Sequence, residues 1–365
     1  MSQLPDAKAQ ALRAIPGADV LIETFADSPG VYLVGGAVRD LMLGFAQFDL
    51  DVMVEGSAAE AAAKLAARVP GKVNEHERFL TANYEADDGS LKVDFATART
   101  ETYDHPGALP TVTASDAETD LARRDFSINA MALPLWTDAF GEILEYSDAG
   151  ADLLARVLRV THDESFRDDP TRLLRLLRYG ARLGFTAEPH TEELARAAVE
   201  AGAAATVSGA RVRDELIDLL KERSAVVAVE SMYALGLDRA LHESFDADEY
   251  LVARAMNEPP SGARQELLLL AICSRGMEPE TLAAWLEHLN LPRRDRAVVT
   301  EAVARGPLLL GELAEMTQDG AREDLVKDLT TETLLFALAI PRGDADAAEF
   351  VRGELARRSG PPETA

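Results

Sequence analysis

The sequence is poor in cysteine, lysine, aromatic residues and long apolar runs, and each shortage excludes something. A single cysteine, Cys273, rules out an internal disulfide and any cysteine-based zinc site. No apolar run approaches the roughly 20 residues that a membrane-spanning helix needs. The opening stretch "MSQLPDAKAQALRAIPG" lacks the charged start, apolar middle and small-residue cleavage site of a secretory signal. Together these predict a cytoplasmic protein with no membrane partner. Aromatics make up 6% of the 365 residues, but total apolar content of 47% is ordinary for a folded chain, enough for two or three domains. Only six of the 37 basic residues are lysine, and the net charge is −26. A chain this acidic does not attract a phosphate backbone non-specifically, so any basic contact must be local.

Residues 1–30 read as a helical lead-in ending at the turn "DSPG". A short apolar strand, "VYLVGG", runs into glycines, and "AVRDLMLG" reads as a helix closed by Gly44. The stretch "FDLDVMVEG", from Phe48, predicts a strand with Asp49 and Asp51 on one face. A helix follows, with Ser57 as N-cap and Pro70-Gly71 as its stop. Strands are expected at "RFLTANYEA" and "LKVDFATAR", joined by the turn "DDGS", and again at "NAMALPLW" and "EILEYSD". Residues 99–120, with two prolines and no periodicity, read as a long loop. From about Asp168 onward nearly everything fits a helical period, with breaks near Pro189, Gly202, Gly209, Gly236, Pro259, Pro279, Pro292, Gly306 and Pro341. The expected layout is a lead-in (1–30), an α/β head (31–150), neck helices (151–240), a helical body (241–355) and a disordered tail (356–365).

Three constellations carry chemistry. In the first, "GGAVRD" puts Gly35 and Gly36 between a strand and a helix start, where backbone N–H groups and the helix dipole cradle an anion and Arg39 adds charge. The Asp49-x-Asp51 pair across the turn suits a hard divalent cation such as Mg²⁺. Asp94, on another strand, offers a third carboxylate, and this set meets the needs of in-line nucleotidyl transfer. Each piece alone is an ordinary turn or a solvated strand face; their combination in fixed order favours function. The second is "DLARRDFSINAMAL". Arg124 has the chemistry to meet a triphosphate, Asp125 a ribose hydroxyl, and Asn129 to brace the turn; a capped helix start explains the same residues equally well. The third is "RDDPTRLLRLLRYGARLGF". Arg172, Arg175, Arg178 and Arg182 fall within roughly 120° of one helix face. No acid follows at i+4, so this stripe reads as uncompensated charge awaiting a polyphosphate or nucleic acid, against the plain alternative of a solvated face. At its head, Asp169 as acceptor and Arg172 as donor, three residues apart, match the edges of cytosine and adenine and reject uracil and guanine.

In this order, "GGAVRD", "DLD", "RRDFSINA" and "DDPTRLLRLLR" resemble the class II tRNA nucleotidyltransferase and bacterial poly(A) polymerase family over about residues 31–220. The resemblance implies an α+β head of the polymerase β nucleotidyltransferase superfamily followed by an all-helical neck and body. It implies transfer of CMP or AMP from CTP or ATP to the 3′ end of tRNA without a nucleic-acid template, with Mg²⁺ as cofactor. By position it implies Asp49 and Asp51 as metal ligands, and Gly36 and Arg39 as phosphate contacts beside Gly35. Arg124 and Asp125 become triphosphate and ribose contacts, Asp169 and Arg172 the amino-acid template, and Arg175 and Arg178 further nucleotide contacts. The chain departs from the family pattern at Asp168, where glutamate is usual, and at Ser127, where threonine is usual. It shows no histidine-rich phosphohydrolase module and no basic tail of the poly(A) polymerase type. The loop containing "YDHPGALP" resembles that of some enzymes adding only the terminal A. An A-adding enzyme, a poly(A) polymerase and a non-catalytic RNA-binding relative are the alternatives.

Overall fold

Alternating burial along short strands and one-sided burial along helices organise the chain into a sheet-based unit and a helical unit. The computed structural model describes residues 2–45, 49–258, 262–341 and 343–359. Chain contacts divide it between Asp168 and Asp169: the first unit holds residues 1–168 and 186–194, the second 169–185 and 195–365. Residues 151–168, expected in the neck, therefore belong with the head.

The first unit begins with β1 (Ser2–Gln3), α1 (Asp6–Arg13) and α2 (Ala18–Phe25). Then come β2 (Val31–Val34), α3 (Gly36–Leu43), β3 (Leu50–Val54), α4 (Ala58–Arg68), β4 (Gly71–His76), β5 (Thr81–Ala86) and β6 (Lys92–Thr97). β7 (Arg99–Thr102), β8 (Thr111–Ala114), α5 (Ala117–Ala122), β9 (Met131–Pro134), β10 (Glu142–Glu145), α6 (Ala149–Ala155), β11 (Val157–Leu158) and α7 (Ser165–Asp168) complete it, with β12 (Thr186–Ala187) pairing parallel to β11. Eight strands form one mixed sheet in the order β1-β10-β9-β2-β3-β6-β5-β4. β2 and β3 are antiparallel, and β3 and β6 are parallel.

Most local expectations hold for physical reasons visible in the sequence. Gly44 closes α3, and Ser57 caps α4 by accepting the Glu60 N–H at 3.2 Å. The strand read from Phe48 runs Leu50–Val54; Phe48 itself lies outside the described residues. Two local expectations fail in this unit. β4 was not anticipated, because "GKVNEH" is polar and lies at the sheet edge, where burial imposes no apolar alternation. The supposed loop at 99–120 is a hairpin, β7 against β8, followed by α5. Its threonines and valine satisfy each other's backbones without contributing an apolar period. Met53, Tyr32, Leu121 and Ala132 bury together where α5 covers one face of the sheet.

In the second unit, α8 (Thr171–Leu183) packs against α10 (Gly209–Lys221) and α11 (Ala225–Leu235); α9 (Pro189–Glu200) lies between α8 and α10 in the chain, with residues 189–194 assigned to the first unit. The rest is α12 (Leu237–Leu241), α13 (Glu249–Met256), α14 (Gln265–Cys273), α15 (Pro279–His288), α16 (Arg293–Ala314), α17 (Asp319–Val326), α18 (Thr331–Ala339) and α19 (Ala345–Ser359). Gly306, expected as a break, lies inside α16. A side chain there would meet the Phe336 ring at 2.5 Å, so glycine permits the close approach of α16 and α18. Residues 356–359, expected in the tail, extend α19, while 360–365 and the break at Pro259 lie outside the described residues. Cys273 is buried, and burial pushes its thiol up to about 12, which leaves it unreactive. Among the described residues no helix is long and apolar enough to cross a membrane.

Candidate active site

The sheet register brings the carboxylates together. Asp51 on β3 lies directly opposite Asp94 on β6, so their side chains leave the same face side by side. Asp49 precedes β3 by one residue and is exposed. On the reverse face Leu50, Val52, Val93 and Phe95 are buried, which fixes the register because a slip by one residue would bury the acids instead. Burial, then the charges of Asp94 and Asp49, push the Asp51 carboxyl up to about 6 against the opposing pull of Arg124 and Arg39. A carboxylate crowded by like charge is the expected signature of a cation site. Asn83, opposite Asp94 on β5, donates its amide to Asp94 and holds His76 at 3.0 Å. Among the described residues no three metal-ligating side chains converge, so a cation here would be shared between the carboxylates and its nucleotide.

The glycine turn sits beside this cluster. Gly35 has φ +63° and ψ −128°, and a Cβ there would come within 2.7 Å of an Arg124 nitrogen. Only glycine allows both that conformation and that approach. Gly36 then opens α3.

Behind the turn runs a buried polar chain. Arg39 is 3% exposed; its Nε donates to Asp40 at 2.8 Å and its Nη1 to Asn129 at 2.6 Å. The Asn129 amide donates to Asp125 at 3.0 Å, and Asp125 also accepts the Phe126 N–H at 2.8 Å. Asn129 thus links Arg39 to Asp125. Arg39 is engaged from beneath the turn, a placement that sequence could not supply. Ser127 is fully buried and donates to Asp152 at 2.6 Å, so its hydroxyl supports the head's core.

Sequence reasoning passed over Asp120. It is 1% exposed and holds two arginines. Arg124 donates from Nη2 at 2.9 Å and Nε at 3.2 Å, and Arg123 donates from Nη2 at 2.5 Å. Burial raises the Asp120 carboxyl, but Arg124 and Arg123 outweigh it and hold it below its usual range. The same carboxylate accepts the Arg99 N–H at 3.2 Å, and Arg123 reaches Glu101 at 2.7 Å. Asp120 therefore aims Arg124 and ties it to the β7–β8 hairpin. The i, i+3, i+4 spacing of Asp120, Arg123 and Arg124 was the available signal.

The remaining predicted residues lie in the second unit. Asp169 accepts from Thr171 N at 3.0 Å and Thr171 Oγ1 at 2.6 Å, and pairs with Arg211 at 2.8 Å. Arg172 is buried, and its N–H bonds the Asp169 carbonyl at 3.0 Å. The expectation of an uncompensated arginine stripe is overturned. Arg178 meets Glu215 at 3.0 Å and Asp218 at 3.8 Å, and Arg175 meets Glu215 at 3.6 Å. Both guanidinium groups also sit over the Tyr179 ring, at 5.8 Å for Arg175 and 5.2 Å for Arg178. The neutralising acids come from α10, some forty residues on, so a search along α8 could not find them.

Comparisons with known proteins agree with this geometry. Residues 31–159 match the family described as the Poly A polymerase head domain. An A-adding tRNA nucleotidyltransferase of Geobacter sulfurreducens is 46% identical over 212 residues, 58% of this chain and 24% of that protein. A CC-adding tRNA nucleotidyltransferase of Deinococcus radiodurans is 32% identical over 322 residues, 79% of this chain and 85% of that protein. The solved Thermotoga maritima CCA-adding enzyme complexed with tRNA aligns at a TM-score of 0.79 with 28% identity, covering 98% of this chain and 87% of that one. The chain spans 23–50% of the length of the A-adding relatives it matches. A mixed-sheet head carrying paired carboxylates, a glycine turn and a clamped arginine, with similarity across four-fifths of the chain, places this protein in the class II tRNA nucleotidyltransferase family.

Proposed function

We propose that the protein is a template-independent tRNA 3′-terminal nucleotidyltransferase that takes CTP and ATP and releases pyrophosphate. The observation that carries this reading is the Asp51–Asp94 register beside Asp49, with Arg124 fixed over the Gly35 turn. The family generally uses a divalent metal. Asp49 and Asp51 would hold Mg²⁺, which neutralises charge developing on the triphosphate. The chain's own groups do the rest. The Gly36 N–H and Arg124 receive phosphate oxygens, with Arg39 supporting the turn from behind. Asp125, held by Asn129, receives the ribose. Asp94 takes the proton as the tRNA 3′ oxygen bonds to the α-phosphorus and the bond to the β-phosphate oxygen breaks. Asp169 and Arg172 read the base edge, and Arg175 and Arg178 add nucleotide contacts softened by Glu215. The reading places the reaction in the cytoplasm, with head chemistry in residues 31–150 and RNA-binding helices beyond.

A narrower reading, A addition alone, is favoured by A-adding relatives at 41–46% identity against 31–32% for two CC-adding ones. The test offers tRNAs ending at the discriminator base, at C and at CC, with CTP and ATP separately and together, and sizes the products. Extension of all three to CCA supports the full activity. Extension of only the CC-ending tRNA, by one A, supports the narrower one. No extension of any contradicts both.

A further inference from the structure

Beside the carboxylates the sheet carries two polar residues, Asn83 and His76, that have no part in holding the nucleotide. Asp51, Asp94, Asn83 and Asn74 lie directly opposite one another on β3, β6, β5 and β4, so their side chains leave one face in a single row. His76, two residues beyond Asn74, shares that face and stands diagonal to Asn83. On the reverse face Val93, Phe95, Ala82 and Tyr84 are buried, so the row cannot slip. The Asn83 amide nitrogen donates to Asp94 Oδ1, and His76 Nε2 lies 3.0 Å from Asn83 Oδ1. An ionised carboxylate only accepts, so the donor end of the amide is spent on Asp94 and its oxygen faces His76, which must carry a hydrogen on Nε2. His76 thus sets which way round the Asn83 amide stands. Asn83 in turn holds one oxygen of Asp94 from the strand on the far side from Asp51.

Asp94 needs such a hold. Asp51 stands beside it with like charge, and a carboxylate pressed by its neighbour turns to whichever rotamer relieves the pressure. With Oδ1 tied to Asn83, Oδ2 is the oxygen left to take a proton. The turn that delivers His76 is strained and tied down. Leu80 closes it at φ 54° and ψ 44°, a left-handed backbone that leucine rarely adopts. The Leu80 N–H bonds the Glu77 carbonyl at 3.2 Å, the Leu80 carbonyl accepts the Thr97 N–H at 2.9 Å, and Arg99 donates to the Phe79 carbonyl. Arg99 also gives its backbone N–H to Asp120, so this turn and the Arg124 clamp share one residue. His76 and Asp94 are exposed and Asn83 is half-buried. Hydrogen bonds this open to water add little to the stability of a fold, so their effect falls on where Asp94 points.

We propose that Asn83 and His76 are positioning residues for the base: His76 orients the Asn83 amide, and Asn83 holds Asp94 so that Oδ2 takes the proton of the tRNA 3′ hydroxyl. That proton leaves as the 3′ oxygen bonds to the α-phosphorus and the bond to the β-phosphate oxygen breaks, releasing pyrophosphate. The proposal rests on the tRNA nucleotidyltransferase reading and deepens it by naming what aims the base.

The test follows addition of AMP to a tRNA ending in CC, in a single turnover with ATP and Mg²⁺ saturating. A general base contributes about a hundredfold or more, and loss of its aim forfeits part of that. Asn83→Ala should slow the step roughly tenfold, with KM for ATP and for tRNA changed less than about twofold. His76→Ala should slow it about threefold, and His76→Gln, which keeps a donor N–H, should recover most of that loss. In an Asp94→Ala background, Asn83→Ala should cost less than about twofold, since no carboxylate remains to aim. A second readout does not depend on turnover. The chain has five asparagines, so their side-chain amide signals are few enough to separate by NMR. The Asn83 signal, identified by its loss in Asn83→Ala, should shift in Asp94→Ala and in His76→Ala. Wild-type addition by Asn83→Ala overturns the proposal, as does an equal loss with and without Asp94, which would mark Asn83 as purely structural. An Asn83 amide signal indifferent to Asp94 overturns it too. A wild type that adds no nucleotide ends the activity reading and this one together, whereas an active wild type matched by Asn83→Ala ends this one alone.

Discussion

The two charged constellations expected to handle nucleotide are built in opposite ways. On the sheet, the acids are crowded and the arginine is clamped: Asp51 lies directly opposite Asp94, while Asp120 holds Arg124 in a fixed fork. On α8 the arginines are neutralised, since Glu215 stands against both Arg175 and Arg178. The head thus keeps unbalanced negative charge, which a cation relieves. On α8, Arg175 and Arg178 keep little unbalanced positive charge. Unbalanced charge, more than charge itself, separates a site waiting for an ion from one shaped around a ligand.

The largest expected effect breaks the head's side of this contrast. Asp51→Asn should lower the rate of nucleotide addition by about a thousandfold or more, as expected when a metal-binding carboxylate is lost. It should also make the fold more stable at neutral pH, by on the order of 1–3 kcal/mol. The sign follows from the raised carboxyl: the folded state favours the protonated form, so stability is full below the unfolded value near 4 and is lost as pH rises through about 6. Asparagine removes that loss, and thermal melts at about pH 7 and about pH 4 read it. A destabilised variant at neutral pH would count against crowding at Asp51.

Next in size is the clamp. Asp120→Asn should lower kcat/KM for nucleotide by roughly 10- to 100-fold, because Arg124 keeps its charge but loses its aim. Asp120→Glu should recover part of that loss. Equal, small effects of both would mean that Asp120 supports only the core. Asp169→Ala should reduce the preference for CTP and ATP over UTP and GTP by roughly tenfold or more while leaving cation binding intact. Unchanged preference would refute the template assignment. The smallest effect belongs to Glu215→Gln. Releasing Arg175 and Arg178 should tighten nucleotide binding by about two- to fivefold, more at low salt. Weaker binding would show that Glu215 positions the arginines more than it neutralises them.

The sequence carried the parts of this picture that depend on local spacing. The Gly35 turn, the helix closed at Gly44, the Ser57 cap and the strand carrying Asp51 follow from strand and helix geometry over a few residues. The family motifs added the order in which these pieces appear. What stayed hidden depends on partners far along the chain. Glu215 reaches α8 from another helix, Asn83 reaches Asp94 from another strand, and Arg39 turns inward to meet Asn129 ninety residues later. The β7–β8 hairpin was read as loop because its stability comes from backbone pairing at the surface, which leaves no apolar period to detect. Gly306 looked like a helix break because local propensity cannot show Phe336 pressing against it.

The central proposal is that Asp49 and Asp51, crowded by Asp94, hold a cation whose binding relieves that crowding. Its most direct measurement is Mn²⁺ binding to the protein without nucleotide, followed by electron paramagnetic resonance for the wild type and Asp51→Asn. With one proton competing at about 6, wild-type affinity should fall roughly tenfold between about pH 7.5 and about pH 5. Asp51→Asn should bind weakly at both. Affinity that does not change with pH, or a variant that binds as the wild type does, would contradict the account.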